Sequence, residues 1–228
     1  MQTTDRPTLV FDVNETLLDL TTLEPVFARA FGDAAMMRVW FSELILYSQT
    51  LTFAGHYRPF GELGMAVFTM LATVKGIAVH KDDTAALGHA LTHMPPHGDV
   101  EAGLTRLRAA GFRLVTLTNS PLGAESALFR AGLDCFFDGN FSVAEVAAFK
   151  PAPAVYEHLA TSLNLAPAQL CMIACHIWDT IGAQACGYRG AFLHRTGNAP
   201  LPIAEIPQPD IIARDMTDLT DQIIARWG

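Results

Sequence analysis

Apolar runs broken by polar turns divide the chain into two unlike regions. Near the start, Leu9-Val10-Phe11 is a short β-favouring run that ends in a carboxylate, Asp12. The polar turn Asn14-Glu15-Thr16 follows, and Leu17-Leu18 resumes the apolar pattern. This predicts a buried strand delivering Asp12 to its C-terminal end, where open parallel sheets place their ligands. From there to about residue 95 the pattern reads as helical throughout. Thr21-Thr22-Leu23-Glu24 has capping-box spacing with Pro25 in the first turn, which predicts a helix to Phe31 ended by Gly32. Further helices are expected over about 34–53, 60–75 and 82–93, with Gly76 as a C-cap and Pro95-Pro96 closing the region.

From Asp99 the pattern alternates between helix and strand. Helices are expected over about 100–110, 123–131 and 153–163, then from Trp178, and last to near Trp227. Strands are expected at 112–118, near 141–143, and at 170–174, 190–193 and 211–212. The segment from Gly197 to Pro209 is Pro-rich loop. Such alternation implies a parallel sheet with crossover helices. The expected fold class is therefore α/β: a Rossmann-like core from residues 1–19 and 96–228, with a helical insertion over 20–95.

Composition narrows the function classes. Half of the 228 residues are hydrophobic and 17% are charged, as in ordinary folded proteins. A net charge of -8 argues against nucleic acid or an anionic membrane as partner, since phosphate binding needs a basic face. A small anionic substrate stays compatible, because one Lys or Arg can hold a carboxylate. The N-terminus lacks signal-peptide patterning, and no apolar run approaches the ~20 residues of a membrane span. Cys135, Cys171, Cys175 and Cys186 form no CxxC pair and no zinc-type spacing with histidine. Reduced structural cysteines and a cytoplasmic location are expected.

Four polar clusters fall at predicted strand ends: Asp12 with Thr16, Thr118 with Asn119, Lys150, and His176 with Asp179. Gathered on one sheet edge they suggest a site. Lys150 sits in Phe-Lys-Pro, where it would hold Asp12 ionised and stabilise negative charge forming nearby.

These residues carry a resemblance. Phe-Asp-x-x-x-Thr-Leu at 11–17, Thr-Leu-Thr-Asn-Ser at 116–120, Lys150-Pro151, and the strand leading to Asp179 resemble the four motifs of the haloacid dehalogenase superfamily. The helical stretch is similar to that superfamily's inserted cap. Phosphatases of the superfamily usually carry a second Asp where Asn14 stands, and two acidic groups in the last motif, where this chain has Asp179 alone. A hard divalent cation prefers several oxygen ligands, so a magnesium-dependent phosphatase is the weaker reading. Lys150-Pro151 with Val155-Tyr156-Glu157, Trp178-Asp179 and Arg195-Thr196-Gly197-Asn198 resemble instead the type II 2-haloacid dehalogenases, which use no metal and no cofactor.

That resemblance implies a hydrolase acting at C2 of a small 2-substituted carboxylic acid, as (S)-2-haloacid dehalogenases do, through an ester on Asp12 that water then cleaves. Asp12 would be the nucleophile, oriented by Thr16, Thr118 and Lys150. Tyr156 would support Lys150, Asn119 would hold the substrate carboxylate, and Asp179 would position or activate water. Asn14, Phe41, Phe60, His176 and Trp178 are further candidates for touching substrate. The resemblance also implies a homodimer.

Two departures stand out. The family receives the leaving halide on an Arg just after a Trp of the first long cap helix; here Trp40 is followed by Phe41. The family's last motif has Ser-x-Asn before Trp-Asp; here those places hold Ala174 and His176. Arg38, His56 and Arg58 are the nearby cations that could substitute. The missing Arg favours an alternative substrate whose leaving group begins as a cation, as in L-azetidine-2-carboxylate hydrolase, where an aromatic wall would tolerate the ring nitrogen. A small-acid binding protein without turnover is a further alternative, against which the buried charged pair of Asp12 and Lys150 weighs.

Overall fold

The computed structural model describes residues 6–228. Six parallel strands form one sheet: β1 (Thr8–Phe11), β2 (Leu114–Thr118), β3 (Gly139–Ser142), β4 (Leu170–Ala174), β5 (Arg189–Leu193) and β6 (Ile211–Ala213). Their order is β3-β2-β1-β4-β5-β6. In register, Phe11 lies opposite Thr116 on one side and Ile173 on the other. β1, β2 and β4 are buried at every position, as continuous apolar runs require when both faces are covered.

Four helices follow β1 in the stretch up to residue 95: α1 (Glu24–Phe31), α2 (Met36–Phe53), α3 (Phe60–Lys75) and α4 (Lys81–Thr92). Their faces meet around Trp40, which is fully buried against Phe27 and donates its indole N–H to the Gly64 carbonyl at 2.8 Å. Phe68 closes edge-on against Phe27. The remaining helices are α5 (Val100–Ala109), α6 (Ala127–Arg130), α7 (Pro153–Leu163), α8 (Ile177–Ala185) and α9 (Met216–Trp227), with α5 packed on α9 and α7 on α8.

Three local expectations are corrected. The chain enters α1 through a 3-10 turn, Leu20–Leu23, capped by the Asp19 carboxylate, which accepts the Thr21 amide, and not by a Thr21 side chain. Asp19 wins because Leu20 and Leu23 are both buried, which sets the cap two residues earlier. The helix expected over 123–131 is confined to Ala127–Arg130. Gly123 has φ +140°, outside helical geometry, and Ser126 is extended. β3 begins at Gly139, two residues before the expected start, because Asp138 fixes it to β2 through the Leu114 amide.

Candidate active site

The strand order reverses beside β1, with β2 and β3 on one side and β4 to β6 on the other. Side chains after β1 and after β4 therefore meet in the crevice at the sheet's switch point, where α/β folds place ligands. Asp12 leaves β1 there, its amide still bonded to the Ile173 carbonyl.

Three donors surround its carboxylate, which is 4% exposed. Thr16 donates to Oδ2 at 2.7 Å, and Lys150 Nζ donates to Oδ1 at 2.8 Å. His176 Nδ1 lies 3.3 Å from Oδ2. Lys150 spends its other hydrogens on the Leu117 carbonyl at 2.9 Å and Asp179 Oδ2 at 2.6 Å. Its backbone is pinned by Asn119, whose Oδ1 accepts the Lys150 N–H at 3.1 Å.

His176 opens the path to a second carboxylate. Its Nε2 lies 2.8 Å from Glu15 Oε2, and the other Glu15 oxygen pairs with the Arg38 guanidinium. Arg38 also donates to the Thr196 carbonyl at 2.8 Å. The result is an alternating ladder, Asp179–Lys150–Asp12–His176–Glu15–Arg38, of three acids and three bases. Such buried charges persist only when each has its counter-charge and its hydrogen bonds. Glu15 is 2% exposed and holds φ +64°, a left-handed conformation that costs a non-glycine residue on the order of 1 kcal/mol. From that conformation its carboxylate reaches His176 Nε2.

Electrostatics follow the ladder. Burial alone would raise the Asp12 carboxyl, but Lys150 and His176 outweigh it and hold its pKa far below the usual carboxylate range. Glu15 is likewise lowered against burial by His176 and Arg38. Burial opposes the charge on Lys150, yet Asp12 and Asp179 raise it. His176 behaves the same way: burial lowers it, and Cys175, Asp12 and Glu15 raise it well above an ordinary histidine. The Cys175 thiol is itself pushed up by burial, so the two carboxylates supply the charge at neutral pH.

The sequence candidates fall into groups. Asp12, Thr16, Lys150, Asp179, Tyr156 and His176 form one connected cluster. Thr118 is beside it, but its Oγ1 accepts the Ser120 N–H at 3.1 Å and makes no hydrogen bond to Asp12. Tyr156 supports Lys150 through Asp179, donating to Asp179 Oδ1 at 2.7 Å. Each Asp179 oxygen thus carries one hydrogen bond, from Lys150 or Tyr156, and the side chain is 0% exposed. The Phe41 and Trp178 rings pack against the His176 ring, at 5.4 and 5.1 Å between centroids. Asn14, Phe60 and Thr118 line a cavity of about 290 Å³ with Leu44, Met94 and Leu128. Of the cations considered for the missing Arg, Arg38 is committed to Glu15, while His56 and Arg58 are exposed. Sequence reading passed over Glu15; an acid in a turn that demands positive φ was the available signal.

Asp12, Cys175 and His176 also bring one potential ligand atom each within 4.8 Å of one another. This trio suits a metal poorly. The ammonium of Lys150 sits on the only carboxylate of the set, and both His176 nitrogens face carboxylates that favour a protonated ring.

Known proteins agree with this architecture. A family profile described as haloacid dehalogenase-like hydrolase matches residues 7–187. An (S)-2-haloacid dehalogenase of a Pseudomonas species is 30% identical over 202 residues, covering 87% of this chain and 88% of that protein. Another, H-109 of Pseudomonas putida, is 25% identical and covers 95% and 97%. The L-2-haloacid dehalogenase of Xanthobacter autotrophicus, solved with chloropropionic acid covalently bound, superposes with a TM-score of 0.86 at 21% identity, covering 97% of this chain and 99% of that one, and so shares the fold. A six-stranded parallel sheet with its charged ladder at the switch point, and a profile match spanning most of the length, place this chain in the haloacid dehalogenase-like hydrolase family.

Proposed function

We propose that the protein is a metal-independent hydrolase that removes halide from C2 of a short 2-halo carboxylic acid through a covalent ester on Asp12. The observation that carries this reading is Lys150, which reaches Asp12 at 2.8 Å and keeps a nearly water-free carboxylate ionised. A desolvated anion is a stronger nucleophile toward saturated carbon than a hydrated one. In the first step Asp12 attacks C2 and halide departs; in the second, water cleaves the ester and Lys150 steadies the oxyanion. Thr16 orients Asp12, and Tyr156 with Asp179 holds Lys150 in place. Thr118 holds the Ser120 backbone next to the pocket. The Asn119 amide, fixed by the Lys150 backbone, offers its NH2 to the substrate carboxylate. Asn14, Phe41, Phe60, His176 and Trp178 wall the substrate, with the apolar cavity taking its alkyl group.

The relatives named above are dehalogenases, which supports this substrate class; the azetidine ring-opening alternative is not favoured. Residues 20–95 form the cap in this reading, supported by their own aromatic core around Trp40. A homodimer is supported by an exposed apolar stripe on α2, Val39, Leu46 and Phe53, at seven-residue intervals and 44%, 53% and 98% exposed. No helix of the described residues is long and apolar enough to cross a membrane. Four unpaired cysteines support a reducing, cytoplasmic setting.

The test is chloride release from each enantiomer of 2-chloropropionate, with and without chelator, beside Asp12→Asn. Release from one enantiomer that survives chelation and vanishes in the variant is expected. Absence of release from the folded wild type would sink the reading.

A further inference from the structure

We infer that His176, held by Glu15, is the general base that drives hydrolysis of the Asp12 ester. The inference rests on the dehalogenase reading above and assigns a residue to its second step.

Water attacking the ester must lose a proton, so a base has to stand beside the Asp12 carboxyl carbon. Lys150 is an ammonium bonded to two carboxylates and a carbonyl, with no lone pair to offer. Asp179 is 0% exposed and meets Asp12 only through the Lys150 ammonium that the two share, so it has no direct hydrogen bond to the carboxyl group under attack. Thr16 spends its hydroxyl hydrogen on Asp12 and accepts the Cys175 amide at 3.0 Å. His176 is the remaining partner of Asp12 among the described residues, with Nδ1 3.3 Å from Oδ2. Glu15, at 2.8 Å from Nε2, holds the ring so that a neutral imidazole keeps its hydrogen on Nε2 and its lone pair on Nδ1. Phe41 and Trp178 pack against the ring and restrict its rotation.

The groups facing this imidazole are Asp12, Glu15 and Cys175, with Arg38 behind Glu15 and Lys150 behind Asp12. In the resting protein two carboxylates favour imidazolium. Alkylation of Asp12 removes one of those charges, and the ring then gives up its Nδ1 proton more readily. Glu15 and Arg38 also line a polar cleft with His97, His194 and Arg195, which brings solvent to the Glu15 end of the ladder.

The cycle balances. Asp12 Oδ2 bonds to C2 while the carbon–halogen bond breaks, and halide leaves. The Nδ1 proton follows to solvent. Water oxygen then bonds to Asp12 Cγ as its proton passes to Nδ1, with the oxyanion on Oδ1 against Lys150. Collapse breaks the Cγ–Oδ2 bond, and the 2-hydroxy acid leaves with the proton from Nδ1. The new Asp12 carboxyl returns its proton to His176. The sum is halo acid plus water giving hydroxy acid, halide and one proton.

The experiment is rapid-quench turnover of the accepted 2-chloropropionate enantiomer, following chloride and, by mass spectrometry, the ester on the Asp12 peptide. His176→Asn is expected to give a burst of one chloride per site and a persistent ester, decaying about 10²–10⁴-fold more slowly than wild type. Wild-type ester decay is expected to fall on the acid side of one titration. Glu15→Gln should move that limb to lower pH, because a carboxylate that favours imidazolium is gone, and His176→Asn should abolish it. Ester decay at the wild-type rate in His176→Asn, or a limb unmoved in Glu15→Gln, would overturn the assignment, as would loss of the burst itself, which would put His176 in the alkylation step. Should the variants not fold, pH-independent ester decay in wild type would overturn it too. Wild type yielding neither chloride nor ester would be a different failure, that of the dehalogenase reading, and this assignment would fall with it.

Discussion

Lys150 Nζ stands 2.6 Å from Asp179 Oδ2, nearer than its 2.8 Å to Asp12 Oδ1, and both contacts are buried. One ammonium is thus shared by two acids, and Asp179 acts on Asp12 through it. Lys150→Met should therefore abolish turnover and cost about 3–5 kcal/mol of stability at neutral pH, the usual penalty of a stranded buried charge. The deficit should shrink in acid, where protonation discharges Asp12 and Asp179. Urea unfolding of both proteins at pH 7 and pH 5 checks this; an equal deficit at both would refute it.

Tyr156→Phe removes only the hydroxyl that donates to Asp179 Oδ1 at 2.7 Å. Leaving that oxygen unpaired in a buried site should cost about 1–3 kcal/mol. Lys150 should lose its fixed position, so kcat should fall with KM little changed. Steady-state kinetics beside a denaturation curve would separate this from direct substrate contact, which would move KM.

Stability should also fall in acid for a specific reason. Asp12 and Glu15 both have folded pKa values below their unfolded ones. The stability they contribute is complete above about pH 4 and is lost as pH falls through the lowered folded values. His176 has the opposite sign: its raised folded pKa stabilises below about pH 6.5, and that contribution is lost as pH rises through the folded value. Denaturant midpoints from pH 2.5 to 9 should form a plateau in between. In Glu15→Gln the acid slope should be shallower; an unchanged slope would show that Glu15 is not ion-paired.

Gly182, on α8, is tied to the same machinery. A Cβ there would lie 2.5 Å from Pro151 Cβ and 2.8 Å from the Tyr156 hydroxyl. Gly182→Ala should displace Tyr156, costing about 1–3 kcal/mol and lowering activity with it. Gly98→Ala, where a Cβ meets nothing within 4 Å, is the matched control. Equal melting temperatures for the two variants would count against this packing.

Much of the fold was legible along the chain. The strands at β1, β2, β4 and β5 are short apolar runs bounded by turn residues, and α3, α7 and α9 have ends marked by Gly76, Pro153 and Trp227. Asp12 and Asp179 were legible because each comes after a strand, and Lys150 because it sits inside Phe-Lys-Pro. Burial pattern and turn chemistry are local properties, readable without knowing what lies opposite. The short α6 was less legible, since Gly123 adopts a φ that composition alone does not announce.

By itself, then, the sequence determined the alternating α/β plan, the helical stretch after β1, and the acids and bases brought to one sheet edge, because periodicity and strand-end position are encoded within a few residues. Only the tertiary structure decided who pairs with whom. Glu15, Arg38 and His176 come from a turn, α2 and the end of β4, separated by up to 161 positions, and meet only once the sheet order puts β1 beside β4. Asp179 faces Lys150 and Tyr156 because α7 packs on α8. Charges choose partners by distance in space, and in a water-free site that choice sets which group stays ionised, which holds its neighbour and which can move a proton.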